Sequence, residues 1–121
     1  MGKTLSEKIL SANSGTDACA GDIVIAQVDL AFLQDGTGPL ALRQLAESNL
    51  DRLANPKRVI FFLDHASPSP SRELANDHLL LRDFATKKGA RLCDIGEGVC
   101  HQIVVESYAN PGEVIVGADS H

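Results

Sequence analysis

Two rhythms of apolar and polar residues run along this 121-residue chain. Short, nearly continuous apolar runs read as buried strands, and longer stretches with apolar residues three or four apart read as helices. Thr4-Leu5-Ser6-Glu7 has the form of a capping box ahead of Ile9-Leu10, so a short helix is predicted there. A small, polar loop should follow from Ser11 to Gly21. Asp22–Leu33, rich in Val, Ile and Leu, predicts a strand that runs into a turn at Gln34-Asp35-Gly36-Thr37-Gly38-Pro39. Pro39 suits the first turn of a helix, where its missing N–H has no partner to lose. Leu40, Leu42, Leu45 and Leu50, with Ala41 and Ala46, then form the apolar face of that helix.

Asn55-Pro56-Lys57 breaks the chain before a second strand, Arg58–Leu63. Ser69 as cap and Pro70 as first residue predict a helix that carries Leu74, Leu81 and Phe84. It should end at Lys87-Lys88-Gly89, its cations near the negative end of the dipole. Ala90–Ile95 reads as a short strand, Gly96–Gly98 as a turn and His101–Tyr108 as helical. Asn110-Pro111-Gly112 breaks the chain before the last strand, Val114–Val116. Strands and helices alternate, which predicts an α/β fold with a largely parallel sheet covered by helices. At this length residues 1–121 form one domain, with no internal boundary.

Composition narrows the function classes. The formal net charge is -5 with no cluster of Lys or Arg, and aromatics make up 4% of the chain. Such a surface attracts neither nucleic acid nor an anionic membrane, and it offers few platforms for base stacking. No apolar run reaches the length of a membrane span, and the first eight residues lack the apolar core of a signal peptide. A cytoplasmic location is expected. Cys19, Cys93 and Cys100 are an odd number without C-x-x-C spacing, which implies reduced thiols, best read as small buried hydrophobes.

The candidate chemistry sits after the strands. Val59–Leu63 runs into Asp64-His65, Gly96-Glu97-Gly98-Val99-Cys100 into His101-Gln102, and the last strand into Gly117-Ala118-Asp119-Ser120-His121. Ligand sites in α/β sheets gather beyond the carboxyl ends of strands, so these residues read as one site. A carboxylate can orient an imidazole and raise its pKa. The pair could be Asp119 with His101, or Asp64 with His65 after a turn, since neighbours on an extended chain point apart. Three consecutive residues cannot converge as a Ser-His-Asp triad, so Asp119, Ser120 and His121 each need another partner. Metal binding finds no helical or ribbon ligand spacing. Gly96-x-Gly98 allows close backbone approach, and Thr37 lies in a turn that can touch a ligand. His78, mid-helix, reads as structural. On these residues alone, a small-anion-binding α/β module without catalysis fits as well as an enzyme.

Taken together the motifs resemble the aconitase family, and within it the isopropylmalate dehydratase large-subunit branch. The resemblance is carried by Met1–Leu10, Asp35-Gly36-Thr37-Gly38-Pro39-Leu40-Ala41, Asp64-His65, Gly98-Val99-Cys100-His101-Gln102, Pro111-Gly112 and Gly117-Ala118-Asp119-Ser120-His121. It implies part of the first α/β/α domain of the aconitase fold and a hydro-lyase acting on hydroxy-dicarboxylates or tricarboxylates. By matched position, Asp64 and His65 resemble the pair that helps protonate the departing hydroxyl, and His101 and Asp119 a second pair. Ser120 and His121 resemble residues of the substrate-binding wall, with Thr37 beside them. Pro39 stands where aconitases place a substrate-contacting Gln, which points away from citrate; homoaconitase and other hydroxyacid dehydratases share the same pieces. The family's [4Fe–4S] cluster cysteines, carboxylate-binding arginines and serine base match no position. The resemblance therefore implies the N-terminal segment of a large subunit that pairs with a small subunit. The cluster belongs to the full-length protein and no metal ligand to this segment, which is not expected to be active alone.

Overall fold

A computed structural model describes residues 2–50 and 52–120 of the chain. Strands β1 (Leu30–Gln34), β2 (Val59–Phe62), β3 (Arg91–Cys93) and β4 (Ile115–Ala118) form one parallel sheet in the spatial order β3-β2-β1-β4. Helices α1 (Leu5–Ser14), α2 (Gly38–Glu47), α3 (Arg72–Lys88) and α4 (Cys100–Ile103) alternate with the strands, and α4 widens into a π-helical turn, Val104–Tyr108. This is the α/β arrangement that the alternating pattern predicts.

The continuous apolar run of β2 exists because both faces of the strand are covered, as parallel sheets require. Ile60 and Phe62 point into one core layer with Leu30, Cys93, Cys100 and Val104. Phe61 and Leu63 point into the other, with Leu42 of α2 and Leu81 and Ala85 of α3. Phe62 meets Phe32 edge to face at 6.1 Å. The Phe32 ring occupies the place of a side chain at position 117: a Cβ there would stand 2.4 Å from Phe32 Cζ, so this position of β4 takes glycine. Leu33 pairs in register with Phe61 on one side and Ala118 on the other, which puts Asp64 and Asp119 at the same edge of the sheet.

The capping box of α1 is complete: Glu7 N donates to Thr4 Oγ1 at 3.2 Å and Thr4 N to Glu7 Oε2 at 2.8 Å. The helix runs on to Ser14, so the predicted loop begins four residues later than Ser11, at Gly15. Asp22–Leu33 is not one strand. Only Leu30 onward pairs in a ladder, because β2 and β4 begin opposite Ala31 and Leu30; upstream, backbone bonds are isolated ones such as Asp29 N to Val114 O and Gln27 N to Asn13 O. Ile23 and Ile25 consequently lie on the surface, 100% and 93% exposed. In α2 the apolar face is narrower than predicted, with Leu42 buried but Leu40 exposed, and Leu50 lies beyond the end of the helix and is exposed. The cap of α3 is Ser71, whose Oγ accepts Leu74 N at 3.2 Å, and not Ser69. Ser69 Oγ instead donates to Ser71 O at 3.1 Å, which leaves Pro70 outside the helix. Gly89 ends α3 in a left-handed conformation, as expected.

Candidate active site

The sheet grows from β1 to β2 and β3 on one side, and the chain then returns past β1 to add β4 on the other. The carboxyl ends of β1 and β4 therefore flank a topological switch point, the usual ligand crevice of such sheets. Three strand ends and the start of α4 deliver their side chains there.

At the end of β2 the chain turns at His65-Ala66, and the turn defeats the divergence of neighbours on a straight strand. Asp64 Oδ1 lies 2.9 Å from His65 Nδ1, while Asp64 Oδ2 accepts the Cys100 N–H at 2.6 Å. That N–H belongs to the first turn of α4, where amides lack an intrahelical partner and favour an anion. The next residue of α4, His101, places Nε2 3.2 Å from Asp119 Oδ2 beyond β4. The His65 and His101 rings meet edge to face with centroids 5.7 Å apart. Both pairings left open by the sequence are thus present at once, joined through the two imidazoles.

The carboxylates lie deeper than the rings. The Asp64 and Asp119 side chains are 3% and 8% exposed, against 29% and 39% for His65 and His101. Burial pushes the Asp64 carboxyl up, but hydrogen bonds from His65 and Cys100 outweigh it and hold the group below its ordinary range. His65 is raised, first by its hydrogen bond to Asp64 and further by the charges of Asp64, Asp119 and Asp35. A raised imidazole beside a lowered carboxylate is an ion pair that can release a proton near neutral pH.

The turn after β1 supports both pairs. Thr37 Oγ1 donates to Ala118 O, so this hydroxyl fixes the backbone that leads into Asp119. Gln34 and Asp35 are buried there, and Asp35 is completely so. Asp35 Oδ1 accepts His65 N at 3.0 Å; Oδ2 accepts Ala66 N at 2.9 Å and meets His78 Nε2 at 2.9 Å. Nothing in the sequence pattern assigns Asp35 a role beyond the turn. The signal for His78 was present: it lies four residues after Leu74 and three before Leu81, on the stripe that faces the core. Ser120 is exposed next to Asp119, its N–H turned to Asp119 Oδ1 at 2.7 Å. His121 lies outside the described residues. Gly98, at φ 135°, packs against Ile103, where a Cβ would meet Cδ1 at 3.1 Å; its freedom serves the approach to α4.

His65, Cys100, His101 and Asp119 each offer a ligand atom within 4.8 Å of the others, a mixed set that linear spacing did not show. These are ligand types of a single-ion site, but binding an ion would require the Cys100 thiol to lose its proton. An iron–sulfur cluster needs several thiolates. Cys93 and Cys100 lie in the core, as read from the sequence, whereas Cys19 is exposed. The Cys100 thiol is pushed up to about 12 by burial and then by Asp64, and burial also raises Cys93. These protonated, core-packed thiols do not fit a cluster's ligand set.

Comparison with known proteins identifies the family. The model of the aconitase family (aconitate hydratase) matches residues 7–121. A 3-isopropylmalate dehydratase large subunit of Elusimicrobium minutum is 54% identical over 121 residues, covering 100% of this chain and 29% of the relative. The 3-isopropylmalate dehydratase large subunit 2 of Archaeoglobus fulgidus is 56% identical, and large subunit 1 of Thermotoga maritima 48% identical, each with the same coverage of 100% and 29%. The chain thus spans about three-tenths of the length of these relatives.

Proposed function

The chain belongs to the aconitase family, and we propose that it supplies the acid–base wall of a hydro-lyase that interconverts 2-isopropylmalate and 3-isopropylmalate by dehydration and rehydration, a step of leucine biosynthesis. One observation carries the reading: Asp64–His65 and His101–Asp119, delivered from separate strand ends, meet through their imidazoles in one crevice. Hydroxide is a poor leaving group, and a positioned proton donor lowers the barrier to breaking its C–O bond. His65, held as the imidazolium by Asp64, is that donor: its proton passes to the departing hydroxyl to form water, the electron pair of the broken C–H bond becomes the double bond, and the C–H proton goes to a base supplied by the rest of the complete protein. In rehydration the same pair takes a proton back from the attacking water. His101, oriented by Asp119, is the second acid–base group, and by matched position Ser120, His121 and Thr37 are assigned to substrate binding. The activity belongs to the complete cytoplasmic protein, which pairs with a small subunit and carries a [4Fe–4S] cluster on ligands other than the thiols of this chain.

The test uses the complete large subunit assembled with its small subunit. It should interconvert the two isopropylmalates, and His65→Ala should lower turnover by about 100-fold or more with cluster absorbance unchanged. Turnover of a homocitrate-type tricarboxylate alone would move the protein to the homoaconitase reading. Wild-type turnover in His65→Ala would sink the role of the pair.

A further inference from the structure

We infer that Asp35 and His78 form a buried positioning pair that sets the acid–base loop Asp64-His65-Ala66. The inference rests on the role proposed for His65 and adds two residues to that site. Asp35 is 0% exposed and His78 2% exposed, so neither touches a ligand. A carboxylate without water must be satisfied by protein donors, and three reach it: the backbone N–H groups of His65 and Ala66 and the His78 ring. The carboxylate therefore ties three elements together, the end of β1, the loop after β2 and the middle of α3.

This arrangement decides where the imidazole of His65 stands. The loop has left the sheet after Leu63, whose N–H is the last bonded to β3, at 3.0 Å from Cys93 O. The two amides that follow Asp64 are both spent on Asp35. Their direction fixes the backbone of His65 and so the approach of its ring to Asp64 and His101. His78 in turn fixes Asp35: its Nε2 is the side-chain donor, carried on the face of α3 that also buries Leu81 and Ala85. Removing that donor leaves a buried carboxylate one bond short and lets it turn, and a displacement of about 1 Å at a catalytic group can cost on the order of 100-fold.

The experiment compares His78→Leu, His78→Gln and His78→Asn in the complete, cluster-loaded protein with its small subunit. A Gln side chain carries an N–H donor close to the place of Nε2, while that of Asn is one methylene shorter. His78→Leu and His78→Asn should lose about 10- to 100-fold in kcat with KM held within about twofold, the signature of lost transition-state positioning. His78→Gln should recover kcat to within about threefold of wild type. Hydrogen exchange of the His65 and Ala66 amides should quicken in the Leu and Asn variants and return toward wild type in the Gln variant. Unchanged exchange in His78→Leu, or equal kcat in the Gln and Asn variants, overturns the pair; the second comparison stands even if His78→Leu does not fold. Amide exchange reads the anchor independently of chemistry. Wild-type turnover in His65→Ala would end the proposed role of His65 while leaving this test intact.

Discussion

At the amino edge of the sheet Arg58 donates to Asp29 O at 2.7 Å and to Glu113 Oε1 at 2.6 Å, and the Asp29 carboxylate accepts Val114 N at 2.8 Å. One cation and two acids tie together the starts of β1, β2 and β4. At the carboxyl edge two acids again meet basic side chains from separate elements, but the bases are His65 and His101. The inventories nearly match and the chemistry does not. A guanidinium keeps its proton at any working pH, so the amino-edge cluster can hold strands in place and nothing more. An imidazole changes charge near neutrality, so its carboxylates control a movable proton. The edges also differ in what lies over them. The amino edge joins the irregular chain at Gln27 and Val28, whereas the carboxyl edge faces the crevice at the switch point of the sheet.

The comparison predicts a clean division between turnover and stability. The largest effect is expected in the complete protein with its small subunit. His101→Ala and Asp119→Asn should each cost about 100- to 10,000-fold in kcat with little change in Tm. If the two residues act as one unit, the double variant should be little worse than the worse single one. Multiplicative losses would show that they work separately, and near-wild-type turnover in His101→Ala would remove that residue from the chemistry.

A smaller effect should come from Thr37→Val, which keeps the shape of the side chain and loses the hydroxyl held by Ala118 O. With the end of β4 freed, Asp119 should drift from His101, and kcat should fall about tenfold. A rise in KM alone would instead assign the hydroxyl to substrate. The amino edge supplies the reciprocal case. Arg58→Met should lower stability by about 1–2 kcal/mol, because its two charge-assisted bonds are only partly shielded from water, while kcat stays as in wild type. A change in kcat without a change in Tm would break the contrast between the edges.

The sequence made the strands of the core legible and left their partners out of sight. Val59–Leu63 could be read as a buried strand because both faces of β2 are covered, and Lys87-Lys88-Gly89 as a helix end because the cap is local. Asp22–Val28 has the same apolar character as a strand, but pairing depends on where β2 and β4 begin, which lies outside the segment. The site shows the same division. Asp64, His65, His101 and Asp119 stood out as strand-end acids and bases, and the structure brings them together. Two features depended on folding: that Asp64 pairs with its own neighbour, and that Asp35 pairs with a histidine on α3. The first needed the turn at His65-Ala66 and the Cys100 amide. The second joins residues 43 apart in the chain.

The smallest effect is the most specific to the carboxyl edge. His65 is raised above its ordinary value of about 6.5, first by its bond to Asp64, and Asp64 is held below its ordinary value of about 4. The histidine's contribution to stability is full below about pH 6.5 and is lost as pH rises through its raised value. The carboxylate's contribution is full above about pH 4 and is lost as pH falls through its lowered value. Between those limits both charges stand, so the Tm advantage of wild type over Asp64→Asn should be greatest at about pH 5–6 and shrink on either side. Titration of the His65 ring by NMR reads the coupling directly. Its midpoint should lie above about 6.5 in wild type and drop in Asp64→Asn, while the charges of Asp119 and Asp35 keep part of the elevation. A midpoint unmoved by Asp64→Asn would mean that the neighbouring carboxylate does not control the proton, and the carboxyl edge would then resemble the amino edge, a set of ties and not a site.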